Sequence, residues 1–167
     1  MSRRIGKLVL LGLLVAGVYG VITWRTARAT DPDGLTNTPI VGPVAFDEID
    51  TRSHSHHWRV RIATEGLSDV FITHIRIEPG GYSGWHSHPG PSFVTIKAGT
   101  ATFYQGDDME RTPHVYPTGT GFVEDAGRVH LVRNEGDNDL ELVVMQLVPL
   151  GEDRRIDEER PPWYDFG

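Results

Sequence analysis

From Trp58 to Val148 apolar residues recur at every second position in short runs, each ended within a few residues by glycine or a polar turn. Side chains along an extended strand alternate between its two faces, so a period of two marks strands with one face buried. Trp58, Val60 and Ile62 alternate with Arg59 and Arg61, and after Glu65–Gly66 comes the β-branched run Val70 to Ile77. Phe93 to Lys97 turns at Ala98–Gly99 into Thr100 to Gln105, which turns again at Gly106–Asp107–Asp108. His114 to Tyr116, Gly121 to Glu124, Val129 to Arg133 and Leu140 to Val148 follow. About eight short strands at this spacing, with no helical pattern between them, predict an all-β sandwich or barrel such as a jelly roll. The 19 glycines and 11 prolines lie between the apolar runs rather than in repeats, as many tight turns require.

A chain of 167 residues is long enough for one such domain, expected over residues 51–150, with flanking segments on both sides. Arg3, Arg4 and Lys7 precede the uncharged run Leu8 to Trp24, and Arg25 and Arg28 follow it. That run sits at the lower limit for a membrane-spanning helix and exceeds the usual apolar region of a cleaved signal peptide. Ala27–Arg28–Ala29 offers a small-x-small cleavage site, but positive charges before it suit a stop-transfer flank better. Residues 1–29 are therefore expected to form a hydrophobic helix that anchors the protein in a membrane, with the domain outside the cytoplasm. Secretion after cleavage is the alternative.

Residues 30–50 are interrupted by Asp31-Pro32-Asp33-Gly34, Pro39, Gly42 and Pro43, and only Val44 to Phe46 is apolar. They read as a linker that lays one edge segment on the barrel. If this segment crossed to a second copy, Val44 to Phe46 would be buried, so a homodimer is among the expected partners. Residues 151–167 form a charged and then aromatic tail, whose Trp163 or Phe166 either docks or stays mobile. Net charge is −7 overall and −12 once the five N-terminal cations are set aside. A body this acidic, with no basic stripe, repels phosphates, which excludes nucleic acid as a partner. The absence of cysteine excludes disulfides, thiolate ligands and a cysteine nucleophile.

The chemistry concentrates in Gly80 to Gly99, where His86 and His88 stand two residues apart. On an extended strand such residues share a face about 6–7 Å apart, close enough for two imidazoles to converge on one small metal ion. A third histidine, His130, lies on the run Val129 to Arg133. Other candidates are weaker. Ser53-His54-Ser55-His56-His57 reads as a solvated loop, because no group fixed by a turn completes it. Gly81-Tyr82-Ser83-Gly84 is one residue short of a nucleophile elbow, and Gly119-Thr120-Gly121 meets Glu124 where a dinucleotide fingerprint needs glycine. Tyr82, Trp85, Phe93, Phe103 and Tyr104 read as core aromatics rather than a substrate wall.

In these residues the chain resembles the cupin superfamily, in particular its small quercetin-dioxygenase-like members. The first cupin motif, Gly-x5-His-x-His-x3,4-Glu-x6-Gly, falls on Gly80, His86, His88 and Gly99, with Ser92 at the glutamate. The second, Gly-x5-Pro-x-Gly-x2-His-x3-Asn, falls on Gly119, Gly127, His130 and Asn134, with Asp125 at the proline. The resemblance covers roughly Val70 to Pro149. It implies a double-stranded β-helix barrel in which His86, His88 and His130 hold a divalent metal. Iron(II) is favoured, with zinc, manganese, nickel and copper as alternatives.

Cupins with a full ligand set use the motif glutamate as an anionic ligand, so Ser92 leaves three neutral histidines facing the ion's double charge. Such a site favours a small anionic or enolisable substrate. Glu124 or Asp125 is placed to supply a carboxylate, and alternation alone does not show which points inward. The implied activity is that of a dioxygenase-type oxidoreductase, although no catalytic residue is assigned. The alternative is a non-catalytic module that binds or senses a small ligand.

Overall fold

The computed structural model describes residues 30–165, and every regular element among them is a strand. In chain order these are β1 (Asp33–Phe46), β2 (Asp50–Ser55), β3 (Trp58–Ala63), β4 (Ser68–Tyr82), β5 (His86–Ser87) and β6 (Ser92–Ala98). Then come β7 (Thr100–Gln105), β8 (His114–Pro117), β9 (Gly121–Glu124), β10 (His130–Arg133), β11 (Leu140–Pro149) and β12 (Ile156–Asp157). The predicted strands from Val70 to Val148 are all present within a few residues of their expected limits. No helix among the described residues is long and apolar enough to cross a membrane. The expected anchor, Leu8 to Trp24, lies outside the described residues, as does Phe166.

Ten of the strands form one strongly bent sheet that nearly closes into a barrel. One wall runs β1-β4-β11-β6-β9 and the other β12-β5-β10-β7-β8, and the two join where β10 pairs with the end of β4 at Arg133 and Tyr82. Alternation fills the space between them. On β11 the inward positions are Leu140, Leu142, Val144, Gln146 and Val148, and on β6 they are Ser92, Val94 and Ile96. Ile77, Ala101, Phe103 and Val132 complete this core with most of those aliphatic residues. Each fully buried aliphatic side chain of this kind contributes about 1.5–3 kcal/mol to folding.

Two segments depart from expectation. Residues 30–50 are not mainly a linker, because β1 pairs antiparallel with β4 from Asp33–Tyr82 to Phe46–Ser68. Its glycines and prolines did not break the strand because they sit on a sheet edge at bulges, with register shifts beside Gly34, Pro39 and Gly42–Pro43. By contrast β2 and β3, expected inside the barrel domain, form a separate two-stranded sheet. The alternation of Trp58, Val60 and Ile62 does produce a strand, yet Trp58 is 61% and Ile62 42% exposed. The turn of this hairpin carries His56 and His57, exposed as read from the sequence.

The tail also folds onto the barrel. Its strand β12 pairs with β5, and Tyr164 is buried against Trp85 at a ring separation of 4.6 Å. Trp163, expected as a docking residue, stays 36% exposed beside it. Asn134, the last residue of the second motif, is fully buried and acts as a clip. Its Nδ2 donates to the carbonyls of Ile77 and Asn138, and its Oδ1 accepts from the Gly136 amide. That satisfies three backbone groups where β4, β10 and the turn into β11 meet.

Candidate metal centre

His86 occupies a strand of only two residues, held on one side by β10 and on the other by β12. Its cross-strand partner on β10 is His130, so strand register sets the two imidazoles beside each other, their planes tilted by 58°. His88 follows two residues later on the same side, and its carbonyl accepts from the Gly127 amide at 2.8 Å. The ring centroids are 4.3 Å apart for His86 and His130, 4.9 Å for His86 and His88, and 5.0 Å for His88 and His130. All three residues are buried, and one ligand atom from each lies within 4.8 Å of the others. The structure thus brings together the three histidines read from the sequence, in an arrangement that can hold a metal ion.

The tautomers follow from the partners of the other ring nitrogens. His86 Nδ1 lies 2.8 Å from the Gly84 carbonyl, His130 Nδ1 2.8 Å from that of Arg128, and His88 Nδ1 2.6 Å from that of Arg154. A carbonyl oxygen only accepts, so in neutral His86 and His130 Nδ1 carries the proton and donates it, whereas His88 Nδ1 also lies 3.1 Å from the side-chain amide nitrogen of Gln146, a donor. Gly84 can turn its carbonyl to His86 because it sits at φ +71°, a left-handed conformation that glycine adopts without strain. In neutral His86 and His130 Nε2 therefore carries a lone pair. Burial, reinforced by His130, Arg155 and His88, holds His86 well below the usual histidine pKa and keeps it neutral.

His130 Nε2 is buried without a hydrogen-bond partner, an orphaned acceptor of the kind that a cation satisfies. The donor set fits a divalent transition metal. Nitrogen ligands with their second nitrogens tied down are what such an ion requires.

The two carboxylates left open by the sequence separate clearly. Asp125 is exposed and faces Arg128 at 3.6 Å. Glu124 is buried, its Oε2 3.1 Å from His88 Nε2 and its Oε1 3.3 Å from His130 Nε2. A carboxyl group therefore lies among the imidazoles, beside the three histidines read from the sequence. Ser92 is fully buried, and its hydroxyl accepts from Gln146 Nε2 at 3.3 Å.

Sequence reading did not assign a role to Gln146 or to the tail. The signal for Gln146 is its parity, a polar residue in the inward register of β11. The Arg154 carbonyl that orients His88 and the Glu158 carboxylate that accepts from Ser87 Oγ at 2.7 Å carry no such signal, because both lie in an irregular charged segment. Beside the histidines a cavity of about 50 Å³ opens toward Ile75, Ile77, Val94, Leu142 and Val144. It is a small, apolar chamber.

Comparison with known proteins agrees with this architecture. The cupin domain model matches residues 73–146. The structure is similar to that of the polyketide cyclase RemF from Streptomyces resistomycificus, with a TM-score of 0.53 and 13% identity over 81% of this chain and 80% of that one. It is also similar to a conserved protein of unknown function from Streptococcus pyogenes, with a TM-score of 0.42 and 25% identity over 48% of this chain and 66% of that one. The DMSP lyase DddQ from Ruegeria pomeroyi gives a TM-score of 0.47 and 20% identity over 56% of this chain and 44% of that one. The chain thus spans less than two thirds of the length of the last two relatives. No curated protein matches the sequence. The family match begins in β4 before the first histidine and ends at Gln146 beyond the last. It takes in the three histidines, Ser92 and Glu124, and residues 73–146 match the cupin domain family.

Proposed function

We propose that this cupin is a metal-dependent enzyme of the dioxygenase-type oxidoreductase class, acting on a small anionic or enolisable organic molecule. His86, His88 and His130 hold the ion through Nε2, iron(II) being the favoured occupant. The observation that carries this reading is the convergence of three buried imidazoles, each held by a backbone carbonyl at its Nδ1, with one ligand atom of each within 4.8 Å of the others. The bound ion supplies Lewis acidity and, if it is iron, the capacity to activate dioxygen. The chain's own contribution is orientation and exclusion. The carbonyls of Gly84, Arg128 and Arg154 fix the rings, while the aliphatic walls keep bulk water from the chamber and limit its occupant to a compact molecule or group.

The test is metal content and oxygen uptake together. Untagged protein, purified without added histidines, is expected to carry about one transition metal ion per chain by plasma mass spectrometry. With iron restored, it is expected to consume dioxygen when offered β-diketones or small thiols. Metal without oxygen uptake or any turnover would replace the enzyme by a non-catalytic ligand-binding module. No metal, even after incubation with each candidate ion, would end the enzyme reading and leave the non-catalytic ligand-binding module in its place.

We also propose that the domain works outside the cytoplasm, tethered by residues 1–29. Support comes from the uncharged run Leu8 to Trp24 and the cations on both sides of it. After expression of the full chain and carbonate washing, the protein is expected in the membrane pellet, whereas recovery in the soluble cytoplasmic fraction would overturn the tether.

A further inference from the structure

We propose that Glu124 is the anionic ligand of this metal centre, supplied from the strand opposite the one that carries the expected glutamate position. The proposal rests on the reading of the three histidines as a metal centre. Ser92 on β6 and Glu124 on β9 are direct cross-strand partners. Side chains paired in this way leave the same face of a sheet with Cβ atoms about 4.5–5.5 Å apart. A carboxylate lost from one member of the pair is therefore recovered at nearly the same point in space when the other member is glutamate. The substitution at Ser92 and the glutamate at 124 are two halves of one exchange.

Three observations converge on this assignment. Glu124 is buried to 5% exposure, and among the described residues its ion-pair partners are His88 and His130 alone, with no lysine or arginine to neutralise it. Neutral His130 carries its proton on Nδ1, which donates to the Arg128 carbonyl, so the Nε2 that faces the carboxylate is an acceptor and has no hydrogen-bond partner. An acceptor opposed to a carboxylate across 3.3 Å repels it unless a cation lies between them. Finally, the separations of 3.1 and 3.3 Å suit a shared ion. Two donor atoms bonded at right angles to one metal, each about 2.1 Å from it, stand about 3 Å apart.

The alternatives are occupied elsewhere. Asp125 is turned out to Arg128, and the Ser92 hydroxyl accepts from Gln146. One consequence follows for the substrate. With a carboxylate already in the centre, the ion's charge is partly neutralised, and an anionic ligand gains less from binding than it would at a centre of histidines alone.

The experiment is a titration of the metal-free full chain with cobalt(II), followed by calorimetry and by the visible absorption bands of the bound ion. Glu124→Gln keeps the shape and removes the charge. It is expected to weaken cobalt binding by more than the roughly 10–100-fold lost when a group that only orients a ligand is removed, and to change the band pattern. Exchanging the pair, Ser92→Glu with Glu124→Ser, is expected to restore tight binding, because it returns the carboxylate across the ladder. Should the exchanged protein not fold, Glu124→Asp serves instead and is expected to bind more tightly than Glu124→Gln. Unchanged affinity and spectrum in Glu124→Gln would overturn the assignment while leaving the three-histidine centre intact. Failure of the unaltered protein to take up cobalt would overturn both.

Discussion

Replacing His130 by alanine is expected to abolish stoichiometric metal binding while the barrel stays folded. His130 is 1% exposed and stands at the middle of the cluster, with its ring 4.3 Å from that of His86, 5.0 Å from that of His88 and 5.4 Å from Phe103. It is one of the three converging donors, and its Nε2 is buried without a hydrogen-bond partner, so the remaining residues cannot close a cage around an ion. Structural metal sites gain roughly 10–16 kcal/mol from about four ligands, so the loss of one corresponds to roughly 100-fold or more in affinity. The strand itself is held by backbone pairing with β7 and by Leu131 and Val132, none of which the substitution touches. Plasma mass spectrometry and circular dichroism on the same sample decide the matter. Full metal occupancy in the variant would remove the basis for the metal centre, and a collapsed dichroism spectrum would make His130 a folding residue instead.

Trp85→Ala is expected to be the most damaging single change to stability, by about 3–5 kcal/mol. Trp85 is 1% exposed and forms a second core with Tyr104, Leu131 and Tyr164, separate from the aliphatic core inside the barrel. Its ring is the platform on which Tyr164 docks, and its carbonyl accepts from the Glu158 amide at 3.0 Å. The substitution therefore opens a large cavity and loosens the tail in one step. Against a typical total of about 5–15 kcal/mol for a domain, such a loss is a large fraction. Urea unfolding of the metal-free protein measures it, and limited proteolysis is expected to remove the tail of the variant first. A change below about 1 kcal/mol, with the tail still protected, would show that Tyr164 is held by other contacts.

These two residues also show how much could be read in advance. His130 was legible because the chemistry of the ligand set restricts the residue type and because its motif has a fixed spacing. The alternation that placed strands from Val70 to Val148 was legible for a similarly local reason, since burying one face of a strand writes a period of two into the chain. Trp85 was recognisable as an aromatic core residue, but its partner Tyr164 lies 79 positions away in a charged tail with no periodicity. Long-range docking of this sort leaves no local pattern.

The same limit applies to β1, whose prolines and glycines read as a tether until its pairing with β4 showed them at edge bulges. It applies again to Glu124. Alternation on a four-residue strand does not reveal which side faces inward, whereas the ladder pairing with Ser92 does. In the opposite direction, β2 and β3 have the pattern of a buried ladder and are exposed, because period two specifies a strand and not its neighbours.

The strand β5, two residues long and edged by β12, sets an order on biosynthesis. His86 and Ser87 are joined to the strand at Ile156–Asp157, and the carbonyl that orients His88 belongs to Arg154. As the chain leaves the ribosome from its N-terminus, both cupin motifs emerge well before these residues do. The three imidazoles can meet earlier, but they acquire their fixed orientation only after residue 157 has cleared the exit tunnel. Selective uptake of an ion at this centre would thus be a late event in the life of the molecule, following completion of the barrel rather than guiding it.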